Sequence, residues 1–383
     1  MFLRFVQIIL FFILLTNSAT AQQVEGMHQR FNSVSENELS NLYDLVQHLT
    51  EGISTEADKA AILHRWLIGY LHYDTTFSNG NPRKRNQSIR KVLDSKTAVC
   101  QGYANLFAAL CRTASIRCEI VYGYCRLKPE GQLSLEEPNH AWNALQIDGQ
   151  WYLTDPTWDS DYLHHQGLNQ GPFYQAKPEE FVKMHLPADP MWQLLEQPVP
   201  LNTFAKSEQS ILTYLQSTLP DKTPYAFRDS LKQYYQIPPP LRKLLTATRA
   251  YRLNPSKANS QELTAVYLDY EGYLSDHPPV SDHADSLIAY QQQLIDLCEL
   301  AAHYSSLFAN NEENCAYNYI NYAVALSRSL DLAKDRKEEL VIIDKMKTSL
   351  QQAKAILQGL PKNMFIEQGL SRCEQYLDFC ENY

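Results

Sequence analysis

The chain has 383 residues, 44% of them hydrophobic, enough for two ordinary domains with cores of their own. Its formal net charge of -9 weighs against a nucleic-acid partner, because phosphate binding needs a basic face. A chain of this size does not depend on its eight cysteines as staples.

The first 21 residues differ from the rest. Arg4 supplies a positive start, FVQIILFFILL (5–15) is a largely apolar run, and Ala19-Thr20-Ala21 has the small-x-small pattern read by signal peptidase. The run falls short of the ~20 apolar residues that a membrane-spanning helix requires. The sequence therefore predicts a signal peptide over 1–21, a mature start at Gln22, export to the periplasm or exterior, and no stable membrane insertion afterwards. Export makes one or two disulfides the upper expectation, placed in the C-terminal half among Cys298, Cys315, Cys373 and Cys380.

Ser35 and Glu38 form a capping box ahead of Leu39, Leu42, Leu45, Val46 and Leu49, which recur at helical spacing. A second helix, with Ser54 and Thr55 as candidate caps, carries the stripe Leu63, Trp66, Leu67, Tyr70 and Leu71. HYDTTFSNGNP (72–82) reads as a loop, and the basic cluster Arg83, Lys84, Arg85, Arg90 and Lys91 as a solvated one. A third helix begins near Cys100 and carries Leu106, Phe107, Leu110 and Cys111, with Asp94, Ser95 and Thr97 as candidate caps. CEIVYGYCR (118–126) is a strand by composition.

HAWNALQIDGQWYLTDPTW (140–158) holds two alternating runs around Asp148-Gly149, a strong hairpin signal. Beyond about 207 strand signals thin out. Amphipathic stretches such as Leu287, Tyr290, Leu294, Leu297 and Leu300, punctuated by IPPP and DHPPVSD, predict a bundle or superhelix of roughly seven helices. YRLNPSKA resembles a tetratricopeptide turn, although no fixed period repeats.

If Asp148 and Gly149 are the central residues of a type I′ turn, Ile147 opposes Gln150, and His140, Trp142, Leu153 and Asp155 share a face. His140 and Asp155 then become diagonal neighbours, with Cα atoms roughly 7–8 Å apart. A carboxylate so placed fixes the tautomer of a histidine and steadies its protonated form. The residues alone fit an ordinary cross-strand polar pair as well, and a turn one residue longer would separate them.

Cys100 lies in or near the first turn of its helix, where the helix field or an imidazolium lowers a thiol pKa. Gly102 would leave room for a substrate backbone, while Cys111, Cys118 and Cys125 read as core thiols. For an oxyanion the backbone N–H of Cys100 is the first donor, with Gln101 and Tyr103 as weaker substrate or oxyanion candidates. Trp142 and Trp158 are core aromatics that could also wall an acyl site. Asp159, Asp161, His164 and His165 offer no closed ligand set and read as a polar loop, so no metal is expected.

Four segments, YLHYD, VCQGYANLFAALC, NHAWNALQIDGQWYLTDPTWD and FVKMHLPADPMWQLLEQPV, together resemble the transglutaminase-like superfamily, a branch of the papain-like fold. The last is similar to the bacterial and kyphoscoliosis-peptidase-like branch, and the resemblance covers about 40–204. It implies an α+β catalytic domain (22–204), with N-terminal helices packed on an antiparallel sheet; the amphipathic stretches beyond it make an all-α domain (205–383) of unknown role. It also implies Cys100 as nucleophile, His140 as general base and acid, and Asp155 as the residue that orients the histidine. The substrate would be a protein or peptide amide, attacked through a thioester without cofactor or metal. Hydrolysis and transfer to an amine both stay open, as does a catalytically silent secreted binding or scaffold protein on the same fold.

Overall fold

The computed structural model describes residues 26–77, 87–126, 133, 135–166, 171–217, 225–280, 283–307 and 312–383. The expected signal peptide, the end of the 72–82 segment and Arg83, Lys84 and Arg85 lie outside the described residues. The chain divides into two compact units. The first holds the described residues before 127 together with Asn139–His185, and the second is built mainly from Leu186–Tyr383. The division therefore falls ahead of the boundary expected at 204.

In the first unit the capping box at Ser35 opens α1 (Glu36–Ser40), but the helix breaks at Asn41 instead of running on. Asn41 is extended at φ -129°, and its side chain accepts from the Tyr43 amide to cap α2 (Leu42–Thr50). Thr55 caps α3 (Glu56–Tyr70), which buries Leu63, Trp66 and Leu67. The 72–82 segment is not all loop: β1 (His72–Tyr73) pairs in parallel with β2 (Thr97–Ala98), the pair just ahead of Cys100. Between them, α4 (Ile89–Ser95) ends on Lys96 in the left-handed region.

The central helix is α5 (Cys100–Thr113), with Tyr103, Leu106, Phe107, Leu110 and Cys111 all buried in the main core. It packs against a four-stranded sheet of order β5-β4-β3-β6, made of β3 (Cys118–Cys125), β4 (His140–Ile147), β5 (Gln150–Thr154) and β6 (His185–Pro187). The β4–β5 hairpin has the expected register, Ile147 opposite Gln150 through Asn143 opposite Thr154. Positive φ at Asp148 (48°) and Gly149 (80°) is the type I′ signature. After β5 comes α6 (Pro156–Gln166), so Asp159, Asp161, His164 and His165 stand on a helix and not in a polar loop.

The second unit is helical. From Glu208 onward the described residues form eight α-helices, where roughly seven were expected. Among the described residues two apolar centres stand apart. One gathers Leu244, Leu263, Tyr267, Leu297 and Ala301; the other gathers Ile320, Met346, Leu350, Leu357 and Cys373. All eight cysteines are buried and unpaired, so the bridges expected in the C-terminal half are not formed.

Candidate active site

Cys100 is the first residue of α5, and its N-cap is Val99, extended at φ -94° and ψ 176°. No side chain caps this helix, so Asp94, Ser95 and Thr97 do not serve as expected. The Gly102 and Tyr103 amides turn back to the Val99 carbonyl at 2.8 and 3.2 Å, which leaves the Cys100 and Gln101 amides ahead of them at the helix tip. Gln87 holds the approach: its Oε1 accepts from the Val99 amide at 3.1 Å. Gly102 is small for the same reason. A Cβ there would collide with Gln87 Oε1 and sit 2.7 Å from the Ala98 Cβ, so the space expected for a substrate is filled by protein.

His140 opens β4 opposite Gly123 of β3. Three residues on, Asn143 Nδ2 donates to the Ala104 carbonyl at 3.0 Å, tying the strand of His140 to the helix of Cys100. Across the hairpin, His140 Nε2 lies 2.6 Å from Asp155 Oδ2. The diagonal pairing read from the turn is therefore present. With Nε2 committed to the carboxylate, Nδ1 is the nitrogen left to face the thiol.

Asp155 is fully buried and accepts four hydrogen bonds. Oδ1 takes the Thr157 amide at 2.9 Å and the Trp158 amide at 3.2 Å, at the start of α6. Oδ2 takes His140 and, at 2.9 Å, His185 Nε2. Burial alone would raise the Asp155 pKa, but the charge and hydrogen bond of His140, then His185, hold it far below the carboxylate range. Burial disfavours a cationic His140, yet Asp155, with Cys125 and Cys100 contributing, lifts its pKa well above the usual histidine value. Burial also pushes the Cys100 thiol up. The hydrogen bond and charge of His140 and the Ala141 backbone outweigh it, leaving that thiol below its ordinary value.

Other thiols respond in the opposite sense. Burial pushes Cys125 up to about 11 and Cys298 up to about 12, and lifts Cys111 well above its ordinary value. Cys100 alone among these four is lowered, and it is the one to which His140 makes a hydrogen bond.

The weaker candidates are placed otherwise. Gln101 gives its amide hydrogens to Asn105 Oδ1 at 2.8 Å and to the Tyr122 hydroxyl at 2.7 Å, so neither is free for an oxyanion. Tyr103, expected as a substrate or oxyanion contact, is instead a fully buried core residue with its hydroxyl 3.2 Å from Ser160 Oγ. Trp142 is also fully buried, its ring centroid 5.9 Å from His140 and 5.8 Å from Phe181, so it backs the histidine and does not meet a ligand. Trp158 lies 5.7 Å from His140 and keeps some exposure.

On α6 the polar residues disperse. Asp159 is buried beside His64 at 3.1 Å, His165 pairs with Asp161 at 3.0 Å, and His164 Nε2 reaches the Leu71 carbonyl at 3.2 Å. His140, Asp155 and His185 do present ligand atoms within 4.8 Å of one another. Their contacts are those of a hydrogen-bonded set, with two ring N–H groups directed at one oxygen; a metal ion there would have to displace both protons.

Sequence reasoning passed over His185, Asn143 and Gln87. His185 stood inside the quoted FVKMHLPADP segment, but only folding brings it to Asp155, 30 residues away in the chain. Asn143 carried a readable signal, a polar residue within an apolar strand. Gln87 carried none.

A family model described as the transglutaminase-like superfamily matches residues 43–156. Kyphoscoliosis peptidase of Mus musculus is 29% identical over 175 residues, covering 44% of this chain and 26% of that protein. Its Homo sapiens counterpart is 30% identical over 172 residues, covering 43% and 26%. Hillarin of Drosophila melanogaster is 24% identical over 194 residues, covering 45% and 23%. The chain thus spans about a quarter of the length of these relatives. A solved putative protease from Parabacteroides distasonis is 16% identical, with a TM-score of 0.22 over 33% of this chain and 25% of that one. Matched residues 43–156 contain the buried thiol, the imidazole and the carboxylate described above, and it is over this span that the chain is similar to the transglutaminase-like superfamily.

Proposed function

We propose that the protein is an exported, cysteine-dependent acyl-transfer enzyme acting on protein or peptide amides. The observation that carries this reading is the asymmetry among the thiols. Cys100, beside an imidazole held 2.6 Å from a buried carboxylate, is drawn below its ordinary pKa, whereas Cys111, Cys125 and Cys298 are driven above theirs.

In this reading the Cys100 thiolate attacks the amide carbonyl. The oxyanion forms near the Cys100 backbone N–H, which has no acceptor within its helix. As the C–N bond breaks, the His140 imidazolium gives its Nδ1 proton to the departing amine, leaving a thioester on Cys100. Water or a second amine then attacks the thioester while neutral His140 takes the incoming proton. That step regenerates the thiolate–imidazolium pair. Asp155 keeps its negative charge throughout and holds His140 by Nε2. Water gives hydrolysis and an amine gives cross-linking. The similarity to proteins named peptidases favours water.

Incubating the protein with a peptide library and a tagged primary amine tests the reading. Cleaved peptides identify a hydrolase and amine-tagged peptides a transferase, each lost in Cys100→Ala. Neither product, with Cys100 labelled by iodoacetamide no faster than Cys111, would leave a binding protein on this fold.

A further inference from the structure

His185 is fully buried, and its ring packs among aromatic faces: Phe181 at 4.2 Å, Trp158 at 4.4 Å, and Trp142 and Phe173 each at 5.2 Å. An apolar side chain would fill such a cage without the cost of burying a polar ring. What the imidazole adds is one N–H, directed at Asp155 Oδ2 from 2.9 Å. His140 already holds that oxygen at 2.6 Å, and the other oxygen is taken by two backbone amides. Two imidazoles therefore share one carboxylate.

Only one of them can be the cation. His140 faces Asp155, Cys100, Cys125 and His185, and its pKa is raised. His185 faces Asp155, His140 and the Phe181 backbone. Burial leads, the charge of His140 adds to it, and together they outweigh Asp155 and the backbone to hold His185 below the usual histidine value. His185 is then the neutral donor.

We propose that His185 is a positioning residue for the thiol site: its Nε2–H pins the Asp155 carboxylate towards His140 and limits how tightly that carboxylate holds the imidazolium. The inference rests on the reading of Cys100 and His140 as the reacting pair. Removing the donor leaves the charge on Oδ2 to His140 alone, so the imidazolium persists to higher pH. The unpinned carboxylate also orients the ring less well, so the maximal rate falls. A role in packing alone would lower stability and leave the pH limits unmoved.

The test is the protonation of the His140 ring against pH, read by ring-nitrogen NMR in the full chain, for wild type, His185→Phe and His185→Gln. Phenylalanine keeps the cage filled without the N–H, and glutamine restores a donor near the Nε2 position. In His185→Phe the His140 midpoint is expected to rise by about half a pH unit or more. In His185→Gln the midpoint returns to the wild-type position. Coincident midpoints in folded wild type and His185→Phe would overturn the proposal.

Should His185→Phe not fold, ring-nitrogen NMR of the wild type decides. A neutral His185 carrying its proton on Nε2 while His140 titrates supports the assignment; a His185 that titrates with His140, or carries its proton on Nδ1 alone, overturns it. Wild-type Cys100 that alkylates no faster than a core thiol overturns the thiol reading and the proposal with it, so the two failures are told apart.

Discussion

Cys100 and Cys125 are both buried, both close to His140, and their pKa values move in opposite directions. The difference lies in the hydrogen bond that His140 makes to Cys100, which lowers that thiol, whereas Cys125 feels the His140 charge but not enough to offset burial. The sign of the pH dependence follows. Cys100 lies below its ordinary value and His140 above its own, so both shifts favour the thiolate–imidazolium pair. Acyl transfer should fall on the acid side as Cys100 protonates, and on the alkaline side as His140 loses the proton it must donate. Asp155→Asn removes the charge that lifts His140. The alkaline limb is then expected at lower pH and kcat/KM reduced about 10²- to 10⁴-fold, measured on any peptide the wild type turns over. Gly102→Ala sets a Cβ against Gln87 Oε1 and Ala98, and thermal unfolding should show a loss of about 1–3 kcal/mol.

At the scale of elements, the hairpin was the most legible feature. Side-chain alternation has a period of two, and a type I′ turn at Asp148-Gly149 permits one register, so the sequence was enough to bring His140 to Asp155. The same reasoning makes the site fragile. One residue inserted between Asp148 and Gly149 turns one strand over relative to the other, and Cys100 should then label at the rate of Cys111 in native protein. Helix caps were less legible. Ser35 and Thr55 cap as their sequence signals say, yet the site helix is capped by Val99, which no propensity favours. A side-chain oxygen accepting the first amides would compete with the thiol for them. The break at Asn41 went unanticipated because a periodic apolar stripe continues through a break that only a capping side chain marks.

For the whole molecule, composition was a good guide to class and a poor guide to thiol pairing. The α+β core and the helical C-terminal region were expected from the loss of strand signals beyond 207, whereas the place of division was not. The segment after His185 reads as a continuation of the first unit in sequence, yet it packs with the second, where the Arg249 guanidinium reaches both Asp189 oxygens at 2.8 and 2.7 Å. His185 is the residue this hid most completely. Cysteine counting predicted bridges, but Cys298, Cys315, Cys373 and Cys380 lie buried along helices with thiols raised by burial. In native protein, mass mapping after brief iodoacetamide treatment should therefore find Cys100 labelled first and the other seven only after unfolding.

The most direct measurement is the pH dependence of Cys100 alkylation in native wild type beside His140→Ala. The wild-type rate is expected to stay high well below the ordinary thiol range. In His140→Ala, with only the Ala141 backbone left to oppose burial, the onset should move above that range. Superimposable profiles would contradict the claim that the imidazole held by Asp155 makes Cys100 a nucleophile.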